Sequence, residues 1–191
     1  MVRTIASHLS LSGPALKFAL IAALVTLTLP LPAHAKNWSG GLRIGTAQEG
    51  AQGTIESGLE FGAVLDRMTG GAFDFGIGIG VAMDEATVSR YDVTILNLEV
   101  HARTSTARRP VYAEVGLGWY GLYYGPMPSM ELDGNAGLGG FLGVGYEWRS
   151  TEWMRIGLGA TYHMIGTSSP NPIGGGGSME DYFAIGATVR W

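Results

Sequence analysis

The sequence has no cysteine among its 191 residues. That excludes disulfides and thiolate-held metals. Lysine is almost missing: none follows Lys36, so the positive charge beyond it is carried by arginine alone. From Lys36 onward ten basic residues face sixteen acidic ones, a net charge of −6. No basic patch marks a nucleic-acid surface. After residue 35 no apolar run approaches the ~20 residues that a membrane helix needs. No P-loop and no HExxH sequence occurs, which removes the usual signatures of phosphate cradling and zinc-dependent hydrolysis.

The first 35 residues also lack Asp and Glu. They carry Arg3 and Lys17, a largely apolar run over 18–31, and the small-x-small end Ala33-His34-Ala35. This is the pattern of a cleaved secretory signal peptide, residues 1–35. Residues 36–191 then form one domain.

The whole sequence is rich in glycine, 31 residues without a collagen period, all but Gly13 in what remains, and this part alternates. Over 182–191 the odd positions from Phe183 to Trp191 are apolar, while the even ones are mostly small or polar. Period two marks a strand with one oily and one polar face. Eight such segments are expected: 38–47, 54–65, 71–82, 91–103, 110–124, 136–149, 153–165 and 180–191. In the fourth, Val93 and Ile95 share one parity and Leu96, Leu98 and Val100 the other, which predicts a bulge near Ile95. The connections alternate, short after the second, fourth and sixth segments and longer after the rest. Segments of ~10 residues with this loop asymmetry predict an all-β, eight-stranded antiparallel up-and-down transmembrane β-barrel. Both termini would then lie on the short-turn, periplasmic side.

Two sets of side chains follow from that fold. Trp38, Trp148, Trp153 and Trp191 fall at the short-turn ends and predict an interfacial aromatic girdle; Tyr123 and Tyr124 fall near the opposite rim. The polar parity turns inward, and an unpaired buried charge costs several kcal/mol. Arg43, Glu60, Glu99 and Glu114 should therefore form an arginine–carboxylate network, with Asp74, Glu147 and Arg155 one layer nearer the short turns. His101 and His163 fall at opposite ends, too far apart to share a metal. No metal or cofactor is expected. Gly116-Leu117-Gly118-Trp119-Tyr120-Gly121 matches a dinucleotide fingerprint, but it lies inside a strand with no helix behind it.

The glycine/aromatic segments, such as 141–148, and the ending 185–191 resemble the small eight-stranded outer-membrane barrels of the OmpA/OmpX type. The resemblance covers nearly all of 36–191. It implies a bacterial outer membrane, contact with the lipid bilayer and lipopolysaccharide, and insertion by the barrel assembly machinery through the C-terminal strand. It further implies a monomer with a structural or surface-interaction role, long loops outward and a plugged lumen. Two alternatives stand beside it. One is an acyl hydrolase like the outer-membrane lipid A deacylases, using His163, Ser168 and Glu180. Those enzymes place a serine two residues after the histidine, where this chain has Ile165. The other is a narrow pore.

Overall fold

The computed structural model describes residues 37–50, 57–84, 93–104, 109–124, 136–166 and 179–191. The putting-together of the chain is simple: every strand pairs with its neighbour in sequence, and the last returns to the first. The strands are β1 (Trp38–Glu49), β2 (Ser57–Arg67), β3 (Phe73–Asp84), β4 (Val93–Thr104), β5 (Val111–Tyr124), β6 (Ala136–Arg149), β7 (Arg155–Gly166) and β8 (Met179–Arg190). They close an antiparallel barrel in the order β1 to β8. Closure leaves no unpaired edge, so every strand finds hydrogen-bonding partners on both sides.

The connections alternate as the sequence predicts. Residues 68–72, 105–110 and 150–154 join the strands at one end; 50–56, 85–92, 125–135 and 167–178 join them at the other. In the first short turn Gly70 takes φ 73°, a left-handed conformation that only glycine adopts freely. Asp74 Oδ1 accepts the Thr69 amide at 3.1 Å, and the Thr69 hydroxyl donates to the Phe73 carbonyl.

The two parities part as in a membrane barrel. Outward-facing Ile77, Leu117, Leu142, Val144 and Leu158 are exposed, whereas inward-facing Glu60, Asp66, Glu99, Arg103 and Glu147 are buried. A soluble sandwich would reverse this.

The bulge expected near Ile95 is absent. Pairing of β4 with β3 runs one-to-one from Val93 to Thr104, and with β5 from Val93 to Arg103. Val93 and Ile95 keep the parity of Glu99 and point inward; both are 1% exposed. They change polarity without changing face. With Ala47, Ala82, Leu122, Ile165 and Ala184, around Tyr120 and Tyr182, they form an apolar cluster inside the barrel at its long-loop end. The interior is thus polar over part of its depth and oily above.

Candidate functional site

The interior of the barrel concentrates the buried charges. Its layers are set by strand position, because residues two apart on one strand share a face about 7 Å apart.

Nearest the short turns, Asp66 on β2 meets a histidine and an arginine. Its Oδ1 lies 2.5 Å from His101 Nε2 on β4, and its Oδ2 pairs with Arg190 on β8. Arg103 Nη2 on β4 lies 2.6 Å from Glu147 Oε1 on β6, which Arg190 Nε approaches at 3.9 Å. The Arg103 guanidinium also sits 3.5 Å above the Tyr112 ring, a cation–π contact. Four strands are tied across the barrel by side chains alone. Gly76 makes room: a Cβ there would lie 2.8 Å from His101 Nε2.

One layer up, Arg43 on β1 bridges Glu60 at 3.2 Å and Glu114 at 3.4 Å. The Tyr120 hydroxyl donates to Glu99 Oε1 at 2.7 Å and lies 3.1 Å from His163 Nδ1. His163 Nδ1 is 3.4 Å from Glu99, and its Nε2 is 3.2 Å from the Thr161 hydroxyl.

Aromatic rings join the layers. Tyr182 stacks on His163 at 4.4 Å, His163 on Phe141 at 5.3 Å, and Phe141 meets His101 edge-on at 6.3 Å. Phe141 fits because Gly116 faces it; a Cβ on Gly116 would collide with the ring. The apolar cluster closes the column above. Between the layers lies a cavity of about 30 Å³, bordered by Arg43, His101, Arg103, Tyr112, Glu114 and Arg190. That suits a water or two.

Of the predicted network, the structure brings Arg43 together with Glu60 and Glu114, and seats Glu99 beside them on Tyr120 and His163. Glu147 pairs with Arg103. Asp74 is a correction: it serves the β2–β3 turn through Thr69, because it lies one residue inside the short-turn end of β3. Arg155 begins β7 opposite Arg149 and Arg190. Asp66 lies one residue beyond the predicted second segment, 54–65, and keeps the inward parity of Glu60. The tryptophans hold the short-turn end: Trp38 and Trp148 are exposed, Trp153 stands in the 150–154 turn, and Trp191 is half-buried beside Gly40. The side chains of Tyr123 and Tyr124 lie outside the described residues.

His163 is deeper than the rim position expected for it. It is 0% exposed, enclosed between Tyr182 and Phe141. Glu180 sits on β8 opposite Ile165, and Ser168 lies outside the described residues. An acyl chain in lipid has no path to the His163 nitrogens. Phe141 separates His163 from His101, and no group of three or more potential metal ligands occurs among the described residues.

No protein-family model and no curated protein matches the chain. Solved structures do. Neisserial surface protein A matches over 80% of this chain and 94% of its own, at 12% identity and a TM-score of 0.56. The outer membrane protein OprG from Pseudomonas aeruginosa (12% identity, 81% and 96% covered, TM-score 0.44) and Ail, the attachment invasion locus protein of Yersinia pestis (12%, 81% and 99%, 0.44), also match. The likeness to Neisserial surface protein A is one of fold, that of a small eight-stranded barrel found among outer-membrane proteins.

Proposed function

We propose that the chain is a bacterial outer-membrane barrel with a closed lumen, acting as a structural or surface-interaction protein rather than as a catalyst or conduit. One observation carries the reading: apolar side chains ring the outside while paired charges, stacked rings and an apolar cap fill the inside. An outward apolar band needs lipid, and a filled interior leaves no room for a solvated ion. In this reading the short turns and both termini are periplasmic, and the long connections face outward among lipopolysaccharide. The C-terminal strand engages the assembly machinery, and the barrel is a monomer. The tryptophans at the short-turn end support a membrane interface at that level, since such rings favour the headgroup depth.

The test joins fractionation to conductance. The protein should enter the outer-membrane fraction, require detergent for extraction, and migrate differently on a gel before and after heating. Reconstituted in a planar bilayer, it should show no steady conductance. Extraction as a soluble monomer would refute the membrane reading; steady conductance would restore the pore. The hydrolase reading finds no support in the geometry, because His163 is spent on Tyr120, Glu99 and Thr161 inside the barrel.

A further inference from the structure

Building on the membrane reading above, we propose that the outer wall of β1–β3 holds one anionic phospholipid at its short-turn end. The phosphate sits on Arg67 and an acyl chain lies over Ala63. Among the described residues, the outward parity of the eight strands carries two charged side chains, Arg67 and Asp181. They stand at opposite ends of the barrel. Asp181, near the long loops, is buried and accepts the Tyr162 hydroxyl. Arg67, the last residue of β2, is exposed, and no hydrogen bond or ion pair engages its guanidinium. A lone guanidinium on a lipid-facing rim is stabilised by an anion, and the anions at that depth are lipid phosphates.

Register places two aromatic rings beside it. Arg67 lies directly opposite Trp38 on β1 and directly opposite Phe75 on β3. Both rings share its outward parity, and both are exposed. Directly opposite residues have Cβ atoms about 5 Å apart, so the rings flank the arginine stem on either side. The Met68 amide donates to the Asn37 carbonyl at 2.6 Å, which carries the pairing of β1 and β2 past Arg67. Tryptophan rings settle at headgroup depth. An arginine stem is long enough to lie along such rings while its charged head stays in the polar zone. The planar fork then matches two phosphate oxygens at once.

A lipid is favoured over a soluble phosphate by the wall next to Arg67. Leu65 and Ala63 continue the outward face of β2 toward the barrel's middle. Ala63 faces outward yet is 7% exposed, because Leu42 and Ile79 stand directly opposite it on β1 and β3. A small residue between two larger ones leaves a dip in the wall. The dip lies about 13 Å along the strand from Arg67, on the line an acyl chain takes from a phosphate held at the rim.

The test uses the intact protein folded in micelles, with heat-dependent gel mobility confirming the barrel in every variant. Native mass spectrometry then counts retained phosphatidylglycerol against phosphatidylcholine of equal chain length. The wild type should retain phosphatidylglycerol preferentially. Arg67→Gln, at an exposed strand end, should weaken its retention roughly fivefold and abolish the preference. Arg67→Lys keeps the charge and should keep the preference. Ala63→Leu fills the dip and should weaken retention of both lipids roughly threefold, with the preference intact. Arg109→Gln, at the same end but in the β4–β5 turn, should change neither. Equal wild-type retention of the two lipids, undiminished retention in Arg67→Gln or Ala63→Leu, or an equal loss with Arg109→Gln would overturn the proposal. So would displacement by millimolar inorganic phosphate, which would make the ligand a soluble anion. A wild type that forms no heat-modifiable barrel in micelles would sink the membrane reading itself, and the proposal with it.

Discussion

The imidazole of His163 and the ring of Tyr182 lie 2° from parallel with centroids 4.4 Å apart, both wholly buried within the barrel. The pair joins the charged layers to the apolar cluster above them. Tyr182→Ala should therefore leave a hole with apolar walls on one side and His163 on the other. Loss of a buried aromatic side chain costs about 3–5 kcal/mol where the surroundings do not collapse. Urea unfolding from vesicles, followed by tryptophan fluorescence, checks this. The variant should still fail to conduct, because Phe141 and the apolar cluster of Val93, Ile95, Leu122 and Ile165 continue to seal the column. Conductance in Tyr182→Ala would mean that one ring alone closes the barrel.

Asp66 is the second point of leverage, because His101 and Arg190 both converge on it. Asp66→Ala should destabilise the barrel by about 3–5 kcal/mol, since it leaves a buried guanidinium without its main counter-charge. Combining it with Arg190→Leu should recover a large part of that loss, because an apolar replacement of a buried pair is often nearly neutral. A double-mutant cycle on the same unfolding measurement decides it. Additive losses would show that Asp66 and Arg190 act separately.

How far these contacts could be read beforehand depended on periodicity. Strict alternation in β3, β5, β7 and β8 revealed strand count, closure and the lipid-facing parity, because period two fixes a face whatever the partner. The same rule placed Arg43, Glu60 and Glu114 at one depth. It faltered where chemistry and face part company. Val93 and Ile95 are oily yet inward, so their hydrophobicity imitated a register break that the pairing of β4 does not contain. Asp66 and Asp74 lie near strand ends, where an error of two residues moves a carboxylate between turn and lumen. The stacking of Tyr182, His163 and Phe141 depends on the register between β6, β7 and β8, which sets Phe141 directly opposite His163 and His163 directly opposite Tyr182, and no single strand contains that information.

Interior glycines divide into those that yield space to a neighbour and those that do not. A Cβ on Gly116 would collide with the Phe141 ring and lie 2.8 Å from the Val100 carbonyl, which is backbone and will not move cheaply. A Cβ on Gly62 would meet nothing nearer than 3.6 Å. Gly116→Ala should cost about 1–3 kcal/mol through overpacking, and Gly62→Ala should be near neutral. Unfolding midpoints of the two variants compare them directly. Equal effects would show that helping or hindering Phe141 is not what Gly116 does.

The most direct check of the outer face uses depth on a single strand. Val111 and Leu117 both point outward from β5 and are 61% and 68% exposed. Val111 opens the strand at the short-turn end, and Leu117 lies about 20 Å further along it. In water the two positions would accept arginine equally well, since both are exposed and neither packs into a core. In a bilayer they differ: arginine costs about 2–4 kcal/mol at the midplane and about 0–1 kcal/mol near the interface. Leu117→Arg should therefore lower the stability of the vesicle-inserted barrel by that larger amount, while Val111→Arg leaves it almost unchanged because the side chain reaches the headgroups. Equal stabilities in vesicles would mean that lipid does not cover this face, and that the exposed apolar band must be matched by something other than a membrane.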